Sequence, residues 1–278
     1  MARRRLSRPL KSGLLLLALI GAAGLAAPWL TTDPSAIDLQ QVLVPPSAAH
    51  LLGTDGLGRD LAARIIHGAR ISLAVGLLSA FLALLVGIPL GAAAGYLRGA
   101  VDGIISRIIE AVLCFPTLLL LLALLAAGPP WLRRLPDVIQ LAVVIAVTAW
   151  IPIARYLRGE FLRLAGSDLV NAARASGAGH LRIVFRHLLP AALAPVLVTA
   201  TFTVAGAITL EAAISFIGLG IQPPTPSWGG LLTEARHHVD KAWWLALFPG
   251  SALFLTVLAC NLAGEGLRDW LDPEKTPD

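Results

Sequence analysis

The groups that could hold a nucleotide, bind a metal or attack a bond are few in this chain, and none stands in a working pattern. Its lysines are Lys11, Lys241 and Lys275. None follows a glycine, so the Gly-Lys loop that cradles nucleotide phosphates is missing. No HExxH or GxSxG motif occurs, and neither Cys114 nor Cys260 neighbours a histidine. Both cysteines lie in apolar runs and read as small buried hydrophobes. The pair His237–His238 invites a metal reading, but adjacent helical residues point apart and no third ligand is near, which favours a solvated loop. The chain is expected to need no cofactor or metal and to hydrolyse no ATP of its own.

Three carboxylates lie at the ends of apolar runs: Glu110, Glu211 and Glu265. An ion-driven carrier needs an ionisable group near the middle of the bilayer. Glu211 is the one candidate. Two readings of it stand: an interfacial carboxylate satisfied by neighbouring backbone or a partner, and a pore-lining group.

The elements that must position these residues follow from composition. Of 278 residues, 56% are apolar and 14% charged, and mean hydropathy is +0.77. Soluble domains carry about 25% charged residues. A soluble globule cannot cover this much apolar surface with so few charges, and disorder, a coiled coil and a disulfide scaffold are excluded on the same ground. The chain is an all-α integral membrane protein whose solvent is the lipid bilayer. The net charge of +5 rests on 19 arginines and 3 lysines. It reads as a basic excess in cytoplasmic loops rather than a nucleic-acid surface.

Six uncharged apolar runs, 12–32, 71–97, 111–132, 138–154, 187–210 and 242–264, predict six transmembrane helices, the fourth extended to 157 by snorkelling of Arg155. A seventh run, 212–233, is too rich in glycine and proline to span. The first run follows Arg3, Arg4, Arg5, Arg8 and Lys11, so a cleaved leader is the alternative to a retained helix. With the N-terminus inside, cytoplasmic segments carry 15 basic residues against 7 outside, which predicts N-in and C-in. Pro89, Pro116, Pro152, Pro195 and Pro249 fall within the runs, as tolerated kinks or as hinges. The organisation read is an N-terminal tail, first helix and outer segment (1–70), a five-helix core (71–265) and a C-terminal tail (266–278).

The segment 166–190 is the most informative. Gly166–Ser167–Asp168 offers an N-cap, and Gly177 is placed to end a short helix from Leu169. Leu169, Ala172, Ala173 and Ser176 share a face of mostly small residues beside Asn171. A second helix from His180 is expected to stop at Pro190. Leu181, Val184, Phe185 and Leu188 form its apolar face, with Arg182 and Arg186 on the other side. Two short helices projecting from the membrane suit a loop packed on its own domain or a docking element for a cytoplasmic partner.

The run Asn171-Ala172-Ala173-x3-Gly177 followed by Leu189-Pro190 resembles the coupling loop of permease subunits of binding-protein-dependent ABC importers. That motif usually opens on an acidic residue where Asn171 stands, and often has isoleucine at the place of His187. Three further segments resemble the second permease of the dipeptide, oligopeptide and nickel importers: Leu52-Gly53-Thr54-Asp55-Gly56-Leu57-Gly58-Arg59-Asp60, Ser215-Phe216-Ile217-Gly218-Leu219-Gly220 with Pro223-Pro224-Thr225-Pro226-Ser227-Trp228, and Gly266-Leu267-Arg268-Asp269-Trp270-Leu271-Asp272-Pro273. The resemblance implies a type I ABC importer permease fold, with helices two to six as the bundle and helix one outside it. It implies a homologous second permease, two cytoplasmic ATP-binding subunits and an extracytoplasmic substrate-binding protein. It implies peptide cargo, with nickel or a nickel chelate as the alternative. An outer lip would contain Glu211, Phe216, Gly218, Gly220, Pro224 and Trp228, and Trp228 would either anchor at the interface or touch the binding protein.

Overall fold

A hydroxyl and a proline start the first helix: Ser7 Oγ accepts the Leu10 N–H at 3.4 Å, and Pro9 lies in the opening turn, where a missing N–H is no loss. The computed structural model describes residues 7–271. Arg3, Arg4, Arg5, Asp272, Pro273 and Lys275 lie outside the described residues, as do the side chains of Leu169 and Arg174. The helices are α1 (Arg8–Leu30), α2 (Leu61–Leu97), α3 (Gly99–Leu113), α4 (Thr117–Ala127), α5 (Asp137–Leu164), α6 (Asp168–Ala175), α7 (His180–Ile183), α8 (Leu189–Ile217), α9 (Trp228–Ala235) and α10 (Trp244–Leu271). Among the described residues the β-type pairing is one isolated bridge, Thr54 with Asp60.

α2 is longer than its uncharged run. Asp60 caps it by accepting the Ala63 N–H at 2.8 Å, so the helix starts at 61 and carries Arg64, His67 and Arg70. The boundary drawn at 70/71 therefore falls inside α2, and the one at 265/266 inside α10. α2 ends at Leu97, and the two residues that follow, Arg98 and Gly99, have positive φ of 54° and 56°.

The third span is not one straight helix. α3 and α4 meet at 86° across Cys114, Phe115 and Pro116. Pro116 supplies no N–H and keeps Phe115 out of the helical region, so this proline breaks the helix where a kink was expected. Cys114, at the corner, is exposed rather than buried, whereas Cys260 is buried. Among the described residues five helices are long and apolar enough to cross a membrane, and a sixth crossing requires the bent pair.

α5 runs beyond the end placed at 157 because Arg158 finds a partner: it makes two bonds to Asp102 of α3, at 2.5 and 2.6 Å. Along the bundle, Gly87, Gly91 and Gly95 of α2 form a stripe against α5. A Cβ on them would stand 2.8 Å from Trp150 O, 2.6 Å from Ala154 O and 2.6 Å from Phe161 Cβ. The two backbones touch there, as small residues at four-residue spacing allow. α1 packs along α10 and α2: Gly13 lies against Ala259 and Ala263, and Gly24 against Ala69.

Three apolar clusters stack along the bundle. One joins Ile105 and Ile109 of α3 to Trp150, Leu157, Phe161, Val170, Ile183 and Leu188. A second joins Leu121 and Leu125 of α4 to Val144, Ile145 and Ile214. The third gathers Leu61, Trp228, Leu231, Trp244 and Leu245 at the end away from α6.

Candidate functional site

The residues read from sequence as a coupling loop form one unit of short helices. α6 ends as its glycine requires: Gly177 has φ +76° and Ala178 N–H donates to Ala173 O at 3.0 Å, closing the cap. A Cβ on Gly177 would meet open space, so what selects glycine is the backbone angle alone. At the other end Ser167, just before α6, does not cap the helix with its hydroxyl. Ser167 Oγ is buried without a partner, and Asn171 Nδ2 donates instead to Gly166 O at 3.5 Å. Asn171 and Ala172 are exposed, and Ala173 is half-buried.

The second helix does not stop at Pro190. α7 passes through a π turn, Val184–Leu188, into α8, giving one helical run from His180 to Ile217. Leu189 N–H donates to Val184 O, five residues back, and Pro190 sits in the first turn of α8. A proline ring would strike the carbonyl four residues before it in an α-helix, and the wider turn moves that carbonyl away. The extra residue rotates α8 relative to α7 by roughly 100°, one residue's share of a 3.6-residue turn. The apolar face read from sequence is split as a result. Leu188 is buried at 1% exposure and Val184 half-buried, while Leu181 (74%) and Phe185 (64%) face outward; Ile183, not read as part of that face, is buried at 1%. Arg182, Arg186 and Pro190 are exposed and Leu189 is half-buried. Tyr96 Oη and His180 Nδ1 share a hydrogen bond of 2.7 Å, tying the foot of α2 to this unit.

At the other end, Glu211 is fully buried and accepts the hydroxyls of Ser72 at 2.9 Å and Ser215 at 2.8 Å. Side-chain hydroxyls, not interfacial backbone or an open pore, surround it. Trp228 fits neither of the two roles expected of it. It is 1% exposed, its Nε1 donates to Ile65 O at 3.1 Å, and its ring lies against Gly68. A ring so enclosed neither anchors in lipid headgroups nor meets a partner. It starts α9, whose cap is Ser227, accepting the Gly230 N–H at 3.2 Å. Gly218 closes α8 at φ +95°. Gly220 is buried against Ser215, where any Cβ would collide with Oγ. Phe216 and Pro224 are exposed.

Sequence reasoning missed an ion cluster beside this loop. Asp55 Oδ2 accepts from Arg59 Nε at 2.7 Å and Arg64 at 2.5 Å. Glu234 accepts from Arg59 at 2.9 Å and Arg64 at 2.5 Å. Asp55, Arg59 and Arg64 are buried. The spacing of Asp55, Arg59 and Arg64, in and just after the Leu52–Asp60 motif, was a signal. Glu234, 170 residues from Arg64, left none. His237 lies exposed in the turn after α9, and His238 stands half-buried beside Gly56. Among the described residues no three His, Cys, Asp or Glu groups converge as a metal site would require.

Comparison with known proteins gives matches to this arrangement. The family described as "Binding-protein-dependent transport system inner membrane component" matches residues 87–276. A protein of Brucella suis biovar 1 (strain 1330), named for a peptide transport system permease, is 44% identical, over 98% of this chain and 90% of its own. The di/tripeptide transport system permease protein DppC of Pseudomonas aeruginosa (strain UCBPP-PA14) is 43% identical, over 94% and 87%. Among solved structures, a chain of the MetNI methionine ABC transporter in an inward-facing conformation superposes with a TM-score of 0.64 at 23% identity, over 76% of this chain and 98% of that one. That last likeness concerns the fold.

Proposed function

We propose a specific role for this chain, which belongs to the inner membrane component family of binding-protein-dependent transport systems: it forms half of a path for short peptides and couples that path to ATP hydrolysis by other subunits. As a permease subunit of an ABC importer it is a multi-pass protein of the bacterial cytoplasmic membrane. The other half of the path is a homologous permease. Two cytoplasmic ATP-binding subunits supply the energy, because no phosphate-binding loop occurs in this sequence. An extracytoplasmic binding protein delivers cargo to the arch between α8 and α9. The termini and the loop 166–190 lie on the cytoplasmic side.

One observation carries the coupling role. The docking stub is continuous with α8 from His180 to Ile217, and it presents Leu181 and Phe185 with Arg182 and Arg186 at its free surface. Two large apolar side chains flanked by guanidinium groups form the kind of anchor an apolar groove with an acidic rim accepts. A push on that stub is carried along one helix toward the opposite end of the bundle. The peptide reading is supported by the relatives' names.

The test is uptake of a labelled dipeptide into proteoliposomes holding the full complex, with nickel offered alone in parallel. Phe185→Asp is expected to abolish ATP-driven uptake while the chain remains in the membrane. Normal uptake by that variant overturns the coupling role. Nickel uptake without dipeptide uptake overturns the cargo.

A further inference from the structure

The arch between α8 and α9 hangs by both ends on one carboxylate. Ser72 Oγ donates to Glu211 Oε2 at 2.9 Å, and Ser215 Oγ donates to Glu211 Oε1 at 2.8 Å. Each of these hydroxyls also accepts a main-chain N–H from the arch. Ile221 N–H reaches Ser215 Oγ at 3.3 Å, and Trp228 N–H reaches Ser72 Oγ at 3.4 Å. Between those two points Gln222, Pro223, Pro224 and Thr225 are exposed, while Ile221, Pro226, Ser227 and Trp228 are buried. The ends are held by these serines, Gln222 is tied by its N–H to Asp137 Oδ2 at 3.1 Å and by its Nε2 to Gly220 O at 2.8 Å, and Pro223, Pro224 and Thr225 form the exposed crown.

The direction of these bonds matters. A serine hydroxyl has one proton, and here it goes to the carboxylate, which leaves the oxygen's lone pairs for the arch. A carboxylate accepts at both oxygens, so it orients two hydroxyls at once. A glutamine accepts at one end and donates at the other, which forces one serine to turn its proton away. The first turn of α9 also lies close by: a Cβ on Gly229 would stand 2.6 Å from Ala212 Cα, next to Glu211. The amide dipoles of that turn favour a negative group beside it.

We propose that Glu211 is the positioning residue of the outer arch: by accepting from Ser72 and Ser215 it aims both hydroxyls at the arch ends, and so, beside the tie of Gln222 to Asp137, sets where residues 223–225 stand for the partner that meets them. Glu211 itself touches neither cargo nor partner. The inference rests on the reading that the arch faces the binding protein, and its test separates the two.

A nitroxide is attached at Thr225→Cys in a chain lacking Cys114 and Cys260, within the full complex, with Ser176→Cys as the control position. Glu211→Gln is expected to raise label mobility at 225 and leave 176 unchanged. The concentration of peptide-loaded binding protein that half-saturates ATP hydrolysis is expected to rise at least tenfold, with the saturated rate changed less than twofold. Should Glu211→Gln fail to assemble, Ser72→Ala and Ser215→Ala each remove one arm and keep the carboxylate, and each is expected to raise mobility at 225 by a smaller step. An unchanged spectrum at 225 in these variants overturns the proposal. Raised mobility with an unchanged half-saturating concentration supports the positioning role and overturns the binding-protein reading of the arch.

Discussion

At the outer end, two arginines and two carboxylates share four ion pairs, Trp228 is enclosed, and both ends of the arch are held by buried serines. At the inner end, Leu181 and Phe185 stand in the open, and Ser167 Oγ is buried without a partner. The first region pairs its charges within itself, with Arg64 Nε left unbonded, and encloses the Trp228 ring. The second presents Leu181 and Phe185 beside Arg182 and Arg186, and uncovered apolar surface flanked by charge offers a place for another chain to dock. A preorganised face can receive a partner with little loss of conformational freedom. An incomplete face gains its order from the partner.

The contrast is broken most forcefully at Arg64. Arg64→Ala leaves Asp55 buried against one cation and strips Glu234 of a partner, which costs about 3–5 kcal/mol when one member of a buried pair is removed. The expected result is a sharply lower unfolding midpoint and yield in detergent, and an unchanged midpoint refutes the self-contained outer end. Trp228→Ala, through the cavity it leaves, is expected to cost a similar amount, about 3–5 kcal/mol. It should lower basal and binding-protein-stimulated ATP hydrolysis together, whereas loss of stimulation alone would mean the ring reaches a partner after all.

The inner end should respond in the opposite way. Phe185→Ala is expected to move fold stability by no more than about 0.5 kcal/mol. Retention of the ATP-binding subunits should weaken by about 2 kcal/mol, or roughly 30-fold, measured by titration against the purified permease pair. A fall in the unfolding midpoint with retention intact reverses the assignment. Gly177→Val comes next. Its φ of +76° costs a β-branched residue about 1–2 kcal/mol, with no steric clash added. Partial uncoupling is expected with normal membrane insertion, and normal transport refutes the cap. Least disturbing is a pair of labelling sites, Ser176→Cys and Thr225→Cys, both at exposed positions. An impermeant reagent on intact cells should reach 225 and not 176. Labelling of both removes the two-sided contrast.

The features legible in the residues alone were local. Gly177 as a helix end and α6 before it followed from glycine's access to positive φ. Long apolar runs located five crossings because twenty apolar residues in a row have few other uses. The start of α2 was hidden because a search for uncharged runs stops at Arg70, and Arg64 is tolerated only through Glu234, far along the chain. The split face of the docking stub escaped because a 3.6-residue pattern holds no signal for an inserted residue. Trp228 was misjudged because its amphipathic ring says what it can do at a surface and nothing about whether Gly68 leaves it a niche.

The π turn at 184–188 has a further consequence, and it concerns phase. A helix with one surplus residue can ordinarily anneal, passing the defect along until it leaves at an end. Here annealing would require Pro190 to donate an N–H it does not have and to press its ring on Arg186 O. The defect is therefore pinned by covalent chemistry. The angular setting of Leu181 and Phe185 against the buried side of α8 works like a keyed shaft, fixed by one imino acid rather than by packing. Replacing Pro190 by alanine frees the key, and the stub could then turn on its axis while every contact along α8 beyond it stays in place.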